Sequence, residues 1–273
     1  MKIHSSQRNR AGRCHFNSQD SGFKSASVVI PVINEVGSLY YTIRTVFEYG
    51  AESILEVIIV VCQKTTDESI SACRELTKRH PGQIRVIRQK LPFLGGALRE
   101  GLLSMRGSHA VIMFSDGESD PRTIGNLISE ARNNPGCIIS ASRWLKRNSF
   151  HNYPPGKRLL NYLFQKIFSV IYRTSITDFT FGYRIYPAEV ISAIEWKETG
   201  HSFVFENIIK PLRLNVNIKE IPTTWRARSE GESQLKPYMY LRYLWIGLIV
   251  RMTQRNRLLK KDAAGESESH RDL

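Results

Sequence analysis

A chain of 273 residues, 41% of them hydrophobic, is long and apolar enough to bury a real core as one large α/β domain or two small ones. Its formal charge of +14, from 39 Lys and Arg against 25 Asp and Glu, favours anionic partners: nucleic acid, phospholipid head groups or phosphorylated metabolites. Cys14, Cys62, Cys73 and Cys137 form no C-x-x-C pair and the seven histidines never cluster, so metal binding through Cys and His is not expected and any cation is expected on oxygen. With no cleavable signal peptide at its start, the chain is expected to work in a reducing, cytoplasmic setting without disulfides.

Residues 1–25 are polar and aperiodic and read as a flexible arm. Strand and helix patterns then alternate. "SVVIPV" is a β-branched run, Val36 to Glu48 is helix-like, "LEVIIVV" is a strand and Glu68 to His80 a helix. "IRVIRQ" follows, then the helical "LGGALREGLLSMRG" and the strand "HAVIMF". Such alternation predicts an α/β fold with a mostly parallel, Rossmann-like central sheet covered by helices on both faces, in which ligands bind beyond the carboxyl ends of the strands. The loops "PVINE", "CQKTTDES" and "SDGESDP" all leave strands in that direction and should converge on one cleft.

The second half is less regular. "CIISASRW" reads as a strand and loop, "GKRLLNYLFQKIFSVIYR" as a long amphipathic helix, and "NVNIKEIPTTW" as a strand meeting a polar loop. "YMYLRYLWIGLIVRM", within a C-terminal aromatic helix over 237–259, is only about 15 residues long and contains Arg242, short of the roughly 20 residues that span a bilayer. It fits a helix lying on the protein or on a membrane surface. Residues 260–273 read as a disordered tail.

In "AVIMFSDGESDPRTI" an apolar run ends in Asp116 and Glu118, with Asp120 before Pro121. On an extended chain the carboxylates of Asp116 and Glu118 point the same way and repel unless a cation neutralises them. Mg²⁺ or Mn²⁺ on oxygen ligands, shared with a substrate diphosphate, would do so. The other reading is a turn at Asp116-Gly117, with Ser119 or Asp120 capping a helix that starts near Pro121. The two are compatible, Asp120 capping while Asp116 and Glu118 chelate.

In order and spacing, "SVVIPVINE", "EVIIVVCQKTTDES", "MFSDGESDP", "SASRW", "DFTFGYRIY" and "EIPTTWRARSEGESQL" resemble family 2 glycosyltransferases of the GT-A fold, in particular the dolichyl- or polyprenyl-phosphate mannose synthase-like branch. The resemblance covers about residues 26–236. It implies transfer of a sugar, with inversion, from a nucleotide-sugar donor, with a divalent cation on the diphosphate. Pro31, Asn34 and Glu35 match the family's first nucleotide-contacting loop, where Glu35 would accept hydrogen bonds from ribose or base; alternatively Asn34 and Glu35 open the next helix. Gly95 and Gly96 fit a close backbone approach near the sugar or punctuation of a loop, and Gly231 and Ser233 a lid over the diphosphate.

Two departures from the family pattern stand out. Cys62, Gln63, Lys64 and Thr65 replace the usual D-D-G-S turn, leaving Gln63 for base recognition. Aligned on Pro121, Phe114 stands where the first D-x-D aspartate usually stands; aligned on the acids, Asp116-Gly117-Glu118 is itself the variant motif. Arg143, Arg158, Arg184 and Arg228 occupy positions where the branch carries arginines, several of which contact phosphate in relatives. Arg143 and Arg228 are favoured for function, and Arg184 is read as a structural partner of Asp178.

An acceptor phosphate is already anionic and needs no general base. A hydroxyl acceptor needs one, for which Glu206 is the candidate and Asp178 the reserve. The expected function is thus sugar transfer to a polyprenyl-phosphate-type lipid; the alternatives are a glycan hydroxyl in surface polysaccharide synthesis, or a degenerate relative that only binds nucleotide. Net charge alone raises nucleic-acid binding, and no recognition motif accompanies it, so no nucleic-acid partner is expected. The basic surface and the aromatic C-terminal segment predict peripheral contact with the inner face of an anionic membrane.

Overall fold

A computed structural model describes residues 22–227 and 239–261. Most of the expected arm and tail, and Arg228, Gly231 and Ser233, lie outside the described residues. The strands are β1 (Ala26–Val32), β2 (Ile54–Val61), β3 (Ile84–Arg88), β4 (His109–Ile112), β5 (Ile138–Ser142), β6 (Phe150–His151), β7 (Arg184–Pro187), β8 (Ile218–Pro222) and β9 (Trp225–Arg226). Seven of them form one sheet in the order β3-β2-β1-β4-β7-β5-β8, while β6 and β9 pair separately. Every pairing in the large sheet is parallel except those of β7, which runs antiparallel to both β4 and β5.

Alternation along the central strands explains the two cores. Val28, Ile30 and Val32 of β1 face one side with Val57, Ile59 and Val61 of β2, while Val29, Ile58 and Val60 face the other. Both faces are buried, as a parallel sheet requires. Helices α1 (Gly37–Gly50), α2 (Asp67–Arg79) and α4 (Thr123–Asn133) cover the first face. The second is covered by α3 (Phe93–Leu103), α5 (Pro155–Tyr172), α6 (Ala188–Ala193), α7 (Phe203–Arg213) and α8 (Met239–Met252). In α2, Thr66 caps the N-terminus by accepting from Ser69 N, acids Asp67 and Glu68 fill the first turn, and Lys78 and Arg79 the last, all matched to the helix dipole.

The reversed strand β7 is the departure from strict alternation of parallel strands and helices. All four of its residues are buried, so it shows no period-two pattern. Because only β7 is reversed, the carboxyl ends of β1, β2, β4 and β5 share one edge of the sheet. Arg184, at the start of β7, meets them there.

Candidate active site

The first two loops are tied together by hydrogen bonds. Thr65 Oγ1 donates to Val32 O at 2.8 Å and Thr66 N to Ile33 O at 2.8 Å. Pro31 sits inside β1 opposite Val60. Glu35 Oε2 accepts from Ile33 N at 2.7 Å and Asn34 N at 3.1 Å, so this carboxylate closes its own loop. Neither residue opens the helix, since α1 starts at Gly37 with no acid in its first turn. Asn34 and Gln63 stand exposed on these adjacent loops.

Beyond β4, Phe114 packs on Gly182, where a Cβ would lie 2.6 Å from Phe114 Cε2. That ring joins the core, leaving the acids to Asp116 and Glu118. They do not share a direction through extended alternation, as expected from sequence. Gly117 has φ +76°, and Glu118 N donates to Asp116 Oδ1 at 3.0 Å, so the two carboxylates belong to one tight Asx turn. Trp225 Nε1 donates to Glu118 Oε2 at 3.2 Å and Arg226 N to Glu118 O at 3.0 Å, anchoring the turn to β9. Tyr153 packs edge-on against Trp225, with ring centroids 4.6 Å apart. Asp120 accepts from Arg122 N at 3.1 Å and grips the Arg122 guanidinium, while α4 begins two residues later than Pro121. Burial pushes the Asp120 carboxyl up, and the hydrogen bonds and charge of Arg122 more than offset it, leaving it below the usual range.

Among the described residues no group of three or more His, Cys, Asp or Glu is arranged to hold a metal ion, so the turn offers two carboxylates. Both are hard oxygen donors, each oriented by an N–H, which fits Mg²⁺ or Mn²⁺ sharing its coordination with a phosphate. Ser115 Oγ, next in sequence, is buried without a hydrogen-bond partner, a polar atom of the kind a bound group completes.

Arg143 follows β5 and reverses an expectation. Its Nε and Nη2 bind Asp178 Oδ2 and Oδ1 at 2.7 and 2.9 Å, and its backbone N also donates to Asp178. The pair is buried, with side chains 7% and 0% exposed. Burial opposes the Arg143 charge, but Asp178 beside it outweighs that, and Glu118 adds to the effect. Arg143 thus takes the place with Asp178 expected for Arg184. Arg184 instead donates to Ser140 Oγ, to Asn207 Oδ1 and to the carbonyls of Asp178, Phe179 and Val204, inside the core. Arg143 is flanked by the Phe150 and Phe181 rings, 5.7 and 4.9 Å away, and the exposed Arg158 lies 5.0 Å over the same Phe150.

Glu206 is neither an exposed helix residue nor a base open to a substrate hydroxyl. It is 1% exposed, pairs with Lys210 Nζ at 2.6 Å, and accepts from Lys197 N and Glu198 N at 3.0 and 2.9 Å. Burial lowers the Lys210 pKa, with Glu206 opposing the shift. The reserve base, Asp178, is spent on Arg143. Gly95 and Gly96 belong to the same neighbourhood as Glu206: a Cβ on Gly95 would lie 2.6 Å from Gly200 O, and Gly96 N donates to Thr199 O at 3.0 Å. Their close approach is to the chain's own backbone rather than to a sugar. The carboxyl edge of the sheet therefore carries the loops of Asn34, Glu35 and Gln63 and the acid turn, with Arg143 and Arg158 around Phe150, while Glu206, Gly95 and Gly96 build a separate support around residues 195–200. Trp225 was not anticipated, because it meets Glu118 from 107 positions away.

A sheet of this order, with an acid turn and a buried arginine at its carboxyl edge, defines the GT-A fold class. The structure superposes on glucosyl-3-phosphoglycerate synthase of Mycobacterium tuberculosis, described in complex with uridine diphosphate, with a TM-score of 0.65 at 15% identity over 92% of this chain and 88% of that one. The chain belongs to glycosyl transferase family 2, whose profile matches residues 27–194. It is 28% identical over 229 residues to a dolichol-phosphate mannosyltransferase of Pyrococcus furiosus, covering 80% of this chain and 62% of the archaeal one, so it spans less than two-thirds of that relative. An undecaprenyl-phosphate mannosyltransferase of Micrococcus luteus is 26% identical over 215 residues, 76% of this chain and 86% of that one.

Proposed function

We propose that the chain transfers a sugar, with inversion, from a nucleotide-sugar to the phosphate of a polyprenyl-type lipid at a membrane surface. The observation that carries this reading is the state of the two carboxylates considered as bases. Asp178 is bound to Arg143 and Glu206 to Lys210 and two backbone amides, and all four of these side chains are buried. A hydroxyl acceptor needs a base that can take its proton, whereas a phosphate oxygen is anionic at neutral pH and needs only orientation and charge neutralisation. The relatives named for dolichol phosphate and undecaprenyl phosphate support the same acceptor class.

Asp116 and Glu118 would hold Mg²⁺ or Mn²⁺, which supplies charge neutralisation to a diphosphate leaving group. The protein's own part is to fix the acid turn through Trp225, present the loops of Asn34 and Gln63 to the nucleotide, and set the exposed Arg158 beside the acceptor phosphate, with Arg143 bound to Asp178 behind Phe150. Arg228 and Ser233 belong to this proposal by resemblance.

The test is transfer of labelled sugar from UDP-, GDP- and CDP-sugars to undecaprenyl phosphate and, in parallel, to undecaprenol. Transfer is expected to the phosphate alone and to fall on the order of 100-fold in Asp116→Asn. Transfer to the free alcohol, or full activity in Asp116→Asn, would reject the reading.

A further inference from the structure

We propose that the groove between α2 and the free edge of β3 is a docking site for an extended acidic peptide of a partner protein, which adds to the sheet as a further strand. β3 ends the sheet order and pairs only with β2 among the described residues. Val57 N donates to Gln83 O at 2.7 Å and Gln89 N to Val61 O at 2.9 Å, so the odd-numbered residues of β3 turn their backbone groups to β2. Ile84 N is taken by His80 O in the preceding turn. The N–H and C=O of Val86 and Arg88 therefore face outward, without a hydrogen-bond partner among the described residues.

A groove of about 770 Å³ runs along this edge, room for several side chains rather than a lone ion. From α2, Ile70, Arg74 and Lys78 line it at successive four-residue steps and so stand in one row along the helix. Val86 and Arg88 lie on the sheet face that α2 covers, the face on which Ile84 joins the core. Val86 is 39% exposed, and Arg74, Lys78 and Arg88 are exposed as well. Three cations and an apolar floor thus border two backbone units that lack a strand beside them.

Charge decides the occupant. No Asp or Glu lines the groove. Glu75, beside Arg74 in sequence, turns to Tyr40 and Arg79, and Glu56 binds Arg85. A second copy would set these cations against their own kind, the device by which exposed edges avoid one another. A strand with carboxylates at alternate positions answers Arg74, Lys78 and Arg88 from one face while its backbone pairs with Val86 and Arg88. Nucleic acid fits poorly, since no aromatic side chain lines the groove for a base to stack on. The acid turn follows β4, beyond β2 and β1 in the sheet, so a peptide docked on β3 leaves it uncovered.

The test is fluorescence anisotropy of the full chain with a fluorescein-labelled peptide of alternating Glu and Val, about eight residues long, in about 0.15 M salt. Saturable binding is expected, with slowed amide exchange at Val86 and Arg88. The same peptide N-methylated at alternate residues keeps its charge and loses the donors of one edge, and should bind at least about 10-fold more weakly. Arg74→Glu with Lys78→Glu should also weaken binding by at least about 10-fold with little change in Tm, and Lys166→Glu, on an exposed residue of α5 across the sheet, should leave it intact. No binding, equal binding of an alternating Lys and Val peptide, an unaffected N-methylated peptide or an unaffected double variant would each overturn the proposal. So would displacement of the peptide by an equal concentration of oligothymidylate, or a dimer of the chain that the double variant splits. Neither donor nor acceptor enters this experiment, so its outcome and that of the transfer assay are independent.

Discussion

Trp225 fixes Glu118 through one indole N–H while its ring rests on Tyr153. Trp225→Phe keeps an aromatic ring there and removes the donor, so manganese-assisted binding of a nucleotide-sugar, measured by calorimetry, should weaken by about 10-fold with little change in Tm. Unchanged affinity would show that the turn holds its shape without this anchor. Asp178→Asn should cost about 3–5 kcal/mol in urea unfolding, because it strands a buried guanidinium whose partner is fully enclosed. At this scale the acidic turn was legible because two carboxylates closing an apolar run stand out in a basic chain, whereas its shape was not, since the positive φ of Gly117 rather than extended alternation brings Asp116 and Glu118 into one turn. Which arginine takes Asp178 was not: Arg143 and Arg184 both follow small or aromatic residues in apolar surroundings, and only the reversed direction of β7 sends Arg184 into the core.

Among elements, the start of α3 is fitted most tightly. A methyl group at Gly95 would meet Gly200 O at 2.6 Å and Phe203 Cβ at 2.7 Å, and neither is the end of a flexible side chain. Gly95→Ala should therefore lower stability by about 1–3 kcal/mol, read as a drop in Tm, and a neutral result would show that the 199–200 segment can retreat. Periodicity located α1, α2, α3 and α5 to within a few residues because each is amphipathic, the first three turning a stripe to the sheet and α5 one to α7 and α8. It passed over β7, four enclosed residues that include Arg184 and so form no apolar run, and it could not show that Gly95 and Gly96 meet the backbone of Thr199 and Gly200, a contact between segments a hundred residues apart.

For the whole molecule, acid should weaken the fold partly through His109. This side chain is enclosed at the start of β4, with Nε2 2.8 Å from Pro135 O; burial lowers its pKa, and that hydrogen bond and Glu189 oppose the shift without cancelling it. Below about pH 6.5 the unfolded chain takes up a proton that the folded chain refuses, so stability falls on acidification; above it both forms are neutral and the contribution is flat. His109→Gln should flatten the loss of unfolding free energy between about pH 7.5 and 5.5, and an identical slope in the variant would assign it elsewhere. The doubly covered sheet was readable from strand and helix alternation, whereas the pairing of α5 with α8 depends on Gly247, a residue that gives no such signal by itself and at which a Cβ would run into the Phe168 ring. That crossing has a practical corollary. Because the enclosed and the outward stripes of these helices occupy different positions of the same turns, the outer residues can be exchanged while Phe164, Phe168, Ile246 and Val250, and with them the close crossing at Gly247, stay as they are.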